Sequence, residues 1–172
     1  AAEGMRFDRV FCTNSICTPS RATILTGQYS QTNSVTDLNG VLPPERHYLP
    51  LEMERAGYLT AMIGKWHLEA EPSSFDYYNV LPGQGKYFDP DFIVRGDQPW
   101  PKNVEKHTGY ISDVITDIGL DWLEKRDKTK PFFLMLHHKA PHDMFEFAPR
   151  YADYLKDTEI PEPDNLYDQP AS

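Results

Sequence analysis

The sequence predicts an α/β layer fold, and three observations carry the prediction: a one-faced helical pattern over residues 107–127, a helix running into a β-rich stretch over residues 49–63, and an apolar run at 132–136. Helices alternating with apolar strands bury their faces best as helices layered on a sheet. At 172 residues the chain fits one ordinary domain, which buries roughly two-thirds of the surface its unfolded form exposes. Hydrophobic residues at 40% and charged residues at 25% give the balance of a folded globular chain.

In chain order, residues 5–12 alternate and end in Val10-Phe11, which reads as a strand. Residues 19–26 read as a short helix with Thr18 as N-cap, Pro19 at the first helical position and Gly27 closing it. Residues 49–56 form a second helix stopped by Gly57, and residues 58–63 a buried strand. Residues 72–101, rich in Pro, Gly, Asp and aromatics, show no sustained period and read as a long excursion. In residues 107–127, Ile111, Val114, Ile115, Ile118 and Trp122 recur at steps of three and four, so that helix lies on a sheet. Residues 132–138 read as a core strand opening onto Lys139-Ala140-Pro141-His142, and the proline-rich tail from Ile160 as an extended connector.

A formal charge of −9 disfavours a nucleic-acid partner, whose backbone needs a basic surface. It leaves open a small anionic substrate in a locally positive pocket. The longest apolar stretch, Phe132 to Leu136, is far short of the roughly twenty residues that span a bilayer. The opening Ala1-Ala2-Glu3-Gly4-Met5-Arg6-Phe7-Asp8 lacks the basic start and apolar run of a signal peptide. Two cysteines, Cys12 and Cys17, are too few for a disulfide framework, although they can pair with each other.

Cys17 lies two residues before Pro19, which sets its sulfur near a helix start where free N–H groups favour negative charge. Arg21 adds a guanidinium whose fork suits sulfate or phosphate oxygens. A lone cysteine beside a helix is more often a buried structural residue, so the assignment needs a more specific signal. Lys65 and His67, two apart after a strand, share a face with Trp66 on the other. His142 follows Ala140-Pro141 at a strand end, where side chains reach into clefts of α/β sheets. Asp89 and Asp91, in an Asp-Pro-Asp, read as turn chemistry rather than metal ligands. His47, His107, His137 and His138 carry no supporting context and read as structural.

Cys17-Thr18-Pro19-Ser20-Arg21-Ala22-Thr23-Ile24-Leu25-Thr26-Gly27 resembles the hallmark motif of the sulfatase family in the alkaline-phosphatase superfamily. Gly64-Lys65-Trp66-His67 and Ala140-Pro141-His142 resemble two further family segments, in the same order along the chain, and Ala2-Glu3-Gly4-Met5-Arg6-Phe7 resembles the family's opening. The resemblance implies an alkaline-phosphatase-like sandwich with a central mixed sheet flanked by helices. It implies that Cys17 is converted to formylglycine by a maturation enzyme that reads the Cys-x-Pro-x-Arg pattern. The hydrate of that aldehyde then attacks a sulfate ester, with Arg21, His67 and His142 as catalytic residues and Lys65 and His142 on the substrate. Cys17, as formylglycine, is the implied ligand of a divalent cation, most often calcium.

The remaining metal ligands of the family belong to an upstream Asp-Asp pair and a downstream Asp-His-Gly, and neither motif occurs in this sequence. The expectation is that residues 1–172 form one partial catalytic domain, inactive by itself. The run His137-His138-Lys139-Ala140-Pro141-His142 looks like the form in bacterial and lysosomal sulfatases of sulfated amino sugars, including N-acetylglucosamine-6-sulfatases. The implied substrate is a carbohydrate sulfate and the implied location periplasmic or secreted. Tyr77, Tyr78, Tyr87, Phe88 and Trp100 in the excursion can stack on sugar rings or simply pack. Two alternatives stay open: a phosphonate monoester or phosphodiester hydrolase of the same superfamily, and a non-catalytic, anion-binding fragment. A cysteine-dependent phosphatase fits worse, because it spaces Cys and Arg farther apart.

Overall fold

The computed structural model describes residues 3–43 and 46–168. Its elements run α1 Cys17–Thr26, α2 Ser30–Asn33, α3 Leu49–Arg55, β1 Leu59–Lys65, β2 Tyr77–Leu81, β3 Asp91–Val94, β4 Val104–Lys106, α4 Ile111–Lys125 and β5 Phe132–His137, with a 3-10 turn at Pro149–Tyr151. One five-stranded sheet has the order β4-β3-β2-β1-β5. β1 is parallel to both β2 and β5, whereas β2–β3 and β3–β4 are antiparallel, so the sheet is mixed.

The two-residue period of the strands sorts their side chains into two cores. Met62, Tyr78, Val80 and Ile93 join Ala22 and Leu25 of α1 in one core. Ile63, Leu81 and Phe92 join Ile111, Val114 and Ile115 of α4 in the other, with Ile118 and Trp122 packed at its edge. The helical stripe expected from the sequence is therefore the face that α4 presents to the sheet. The layering is helix, sheet, helix, as the α/β reading requires.

Three expectations are corrected, and one region left unassigned takes shape. Residues 5–12 form no strand: Met5, Phe7, Val10 and Phe11 are exposed, and no described strand pairs with them, so alternation there has no ladder to join. The excursion, to which the sequence assigned no secondary structure, holds β2 and β3, whose few residues are too short to show a period between turns. β5 is half-buried rather than a core strand, because β1 is its only described neighbour. The capping of α1 also differs. The helix begins at Cys17 with Ile16 as N-cap, and the Thr18 hydroxyl donates to the carbonyls of Leu38 (3.4 Å) and His67 (3.1 Å) instead of capping. Pro19 is tolerated at the third position because the first turn has no intrahelical acceptors for its N–H groups.

Other expectations hold. Gly27 closes α1 in the left-handed conformation (φ 64°), and α3 and β1 lie within two residues of the expected ranges, with Gly57 between them. Cys12 and Cys17 are both free thiols. The tail is exposed turns and extended chain as far as residue 168. Ala1 and Ala2 of the opening and residues 169–172 of the expected connector lie outside the described residues. Among the described residues no helix is long and apolar enough to cross a membrane.

Candidate active site

The site grows from the carboxyl ends of two adjacent parallel strands, the usual place for a cleft in an α/β sheet. Lys65 is the last residue of β1 and His137 the last of β5, and the start of α1 faces both. Gly64, at φ 98°, lets the two strand ends close up: a Cβ there would stand 2.0 Å from the His137 carbonyl oxygen. No side chain fits at that distance, so glycine is required for this approach.

Lys65 is 2% exposed, and its Nζ lies 3.4 Å from Cys17 Sγ. Burial pushes the Lys65 ammonium below its ordinary pKa; the nearby Cys17 opposes that shift, and the charges of Arg21 and Lys139 add to it. Arg21 reaches from the second turn of α1 and donates through Nη1 to the Lys65 carbonyl at 2.6 Å, with His137 Nδ1 at 2.9 Å from the same nitrogen. Burial also lowers the Arg21 pKa, again opposed by Cys17. An arginine stays protonated regardless, so the site sets a half-buried guanidinium and a buried lysine against one sulfur. That arrangement suits an anion.

His67 follows β1 at φ 54°, near His142, and lies close enough to Lys65 and Arg21 for their charges to act on it. Burial first, then those cations, hold its imidazole below the usual histidine range, so it is neutral at neutral pH. Its Nδ1 is buried without a hydrogen-bond partner among the described residues. His142 packs its Nδ1 against the Asp143 carboxylate, and its carbonyl accepts from the Tyr87 hydroxyl. The structure thus gathers Cys17, Arg21, Lys65 and His67, with His142 beside His67. An open cleft of about 570 Å³ lies over Cys17 and Arg21, lined also by Cys12, Ser15, Ile16, Ser20, Ile24, His137 and His138, with Lys65, His67 and His142 off its lining.

Two residues were missed by sequence reasoning. His137, read as structural, bonds Arg21 and lines the cleft. Lys139, 7% exposed, sits over the Tyr87 ring at 4.8 Å and is close enough to depress Lys65. Their only sequence signal was membership of the run that ends at His142. Asp89 and Asp91 stay out of the site, as expected: Asp89 accepts from the Gly109 N–H at 2.8 Å, and Asp91 pairs with Lys86 at 2.7 Å. His47 and His107 lie against Glu52 and Glu105, at 3.1 and 3.7 Å. The excursion aromatics mostly pack. Tyr78 and Tyr87 are 3% exposed, Trp100 meets Tyr78 edge-on and Tyr77 meets Trp122, which leaves Phe88 at 40% as the exposed ring.

The described residues do not fit a calcium ion. Among them no three His, Cys, Asp or Glu side chains converge on one point, whereas calcium takes six to eight oxygens. The partners that the structure gives Cys17 are cations, not carboxylates.

The sulfatase family model matches residues 1–170. An N-acetylglucosamine-6-O-sulfatase of Bacteroides thetaiotaomicron is 46% identical over 171 residues, covering 98% of this chain and 30% of its own. A human N-acetylglucosamine-6-sulfatase is 27% identical over 184 residues, covering 95% of this chain and 33% of its own. A structure solved in complex with its substrate D-glucosamine-2-N,6-O-disulfate matches with a TM-score of 0.89 and 44% identity, over 96% of this chain and 33% of that one. The chain therefore spans about a third of the length of the relatives it matches. With its mixed sheet between helices matching solved sulfatases of the alkaline-phosphatase-like fold, this chain belongs to the sulfatase family.

Proposed function

We propose that the protein carrying this chain is a sulfuric ester hydrolase acting on a carbohydrate sulfate, with Cys17, matured to formylglycine, as its nucleophile. One observation carries the reading: Cys17 opens α1 with Lys65 Nζ 3.4 Å from its sulfur and the half-buried Arg21 beside it, within the Cys-x-Pro-x-Arg pattern. When matured, the residue supplies the hydrated aldehyde whose oxygen attacks sulfur.

The chain's own residues then have distinct tasks. Lys65 binds a sulfate oxygen and Arg21 orients the hydrated residue, because preorganised cations stabilise charge that grows in the transition state. His142 holds the bridging oxygen and gives the leaving alcohol its proton. His67, kept neutral by burial and neighbouring cations, accepts a proton as sulfate is released. Residues 1–172 are one part of the catalytic domain, and the divalent cation of the proposed enzyme needs carboxylates that the described residues do not bring to Cys17. The maturation enzyme is a further proposed partner, and a periplasmic or secreted location follows the same family reading.

Similarity to N-acetylglucosamine-6-sulfatases and to a structure holding a 6-O-sulfated glucosamine supports a 6-O-sulfated amino sugar as substrate. The absence of a carboxylate cluster among the described residues favours a second reading for these 172 residues alone, an anion-binding unit without turnover. In the full-length protein, N-acetylglucosamine 6-sulfate should be hydrolysed, Cys17→Ala should abolish turnover, and phosphate and phosphonate esters should react more slowly. Preference for a phosphonate or phosphate diester would move the assignment to the sister hydrolases.

A further inference from the structure

His137 ends β5 and lines the cleft with Cys17 and Arg21. Its Nδ1 lies 2.9 Å from Arg21 Nη1 and 3.3 Å from the Lys65 carbonyl oxygen. The same Nη1 donates to that carbonyl at 2.6 Å. A guanidinium has donors only and keeps its proton in proteins. The lone pair in the 2.9 Å contact must therefore belong to His137 Nδ1. A proton on Nδ1 would set two donors against each other at the ring's shortest contact. Nδ1 is the acceptor, and the single ring proton of neutral His137 sits on Nε2.

We infer that Arg21 locks His137 as the neutral Nε2–H tautomer, and that this N–H serves the cleft as a hydrogen-bond donor to an oxygen of the bound sulfate ester. The donor role rests on the hydrolase reading above. The tautomer rests only on the three contacts. The groups facing the ring agree with it. Burial first, then the Arg21 charge from α1, push the His137 pKa to about 4, with the Lys65 carbonyl opposing and His138, the next residue after β5, facing it too. The ring therefore stays neutral through the ordinary working range. Beside Arg21 and Lys65, a donor without charge gives direction to an anion's oxygen while adding no repulsion between the cations.

Two replacements separate the two ring nitrogens. In His137→Asn the amide oxygen takes the Nδ1 place and still accepts from Arg21, while nothing occupies the Nε2 place. In His137→Gln the longer amide puts an N–H near the Nε2 place. Nitrogen-15 NMR of histidine-labelled full-length protein should show the Nε2–H form of His137 from about pH 6 to 8, with its resonance moving on titration with inorganic sulfate. For hydrolysis of N-acetylglucosamine 6-sulfate, His137→Asn should lose about tenfold in kcat/KM at every pH in that range, and His137→Gln should retain more activity than His137→Asn. An Nδ1–H form or an imidazolium in that pH range overturns the tautomer. Full activity in His137→Asn, or equal losses in both variants, overturns the donor role. Because the tautomer is read without substrate, an Nε2–H form in a protein that hydrolyses no sulfate ester would sink the hydrolase reading and the donor role but not the lock.

Discussion

Met62 and Ile63 of β1 are wholly buried, whereas Val10 and Phe11, an equally apolar pair ahead of α1, are 76% and 87% exposed. The two regions differ in neighbours rather than in pattern. β1 has β2 on one edge, β5 on the other and helices over both faces; residues 5–12 have no described strand beside them. A strand is stable only when its backbone groups find a ladder and its apolar face finds a cover. The chemistry follows the same division: Lys65 and His137 are fixed at the ends of braced strands, while Cys12 lies on the exposed stretch.

The contrast is broken most severely at Gly64. Valine there would drive a Cβ to within 2.0 Å of the His137 carbonyl at φ 98°, so Gly64→Val should cost about 4 kcal/mol or more in denaturant unfolding and lower the folded yield. Near-normal stability would mean that β1 and β5 do not pair this closely. Next comes a matched pair of truncations. Ile63→Ala should cost about 2 to 5 kcal/mol as a core deletion, while Phe11→Ala should stay within about 0.5 kcal/mol when the 172-residue chain is unfolded. Similar costs would show that residues 5–12 are braced after all.

In the full-length protein, Lys65→Ala should lower turnover on the order of a hundredfold, because a preorganised cation is lost where negative charge develops. Near-normal turnover would remove Lys65 from the site. A smaller effect is expected in pH. The folded pKa of His137 is about 4, and that of His67 is also lowered, against about 6.5 in the unfolded chain. Between those values the unfolded state binds more protons, so stability should rise as pH climbs from about 4 to 6.5 and flatten above. Urea midpoints measured across that window test it, and His137→Gln should flatten the slope.

Much of this fold was legible because its signals were local. The stripe of α4, the Gly27 stop and the buried run of β1 each depend on spacing within a few residues. Residues 5–12 misled because alternation reports a face, not the presence of a neighbour. β2 and β3, of five and four residues, are too short to announce themselves, and what secures them is pairing with each other and with β1 and β4. For the candidate site, Cys17, Arg21, Lys65, His67 and His142 were singled out through motifs. His137 and Lys139 were not, since their parts depend on contacts with Arg21 and Tyr87 across 116 and 52 positions of chain. Thr18 was misjudged as a cap for the same reason: its hydroxyl is taken by His67, far away in sequence.

The central claim is that Cys17, on the braced side of the molecule, is the nucleophile precursor, and that Cys12 is not. Only Cys17 has Pro19 and Arg21 at the pattern's offsets, and only Cys17 has Lys65 within 3.4 Å. Peptide mass mapping after coexpression with a formylglycine-generating enzyme tests this directly. The account expects the thiol-to-aldehyde mass loss at Cys17 with Cys12 unchanged; an unmodified Cys17, or conversion at Cys12, would contradict it.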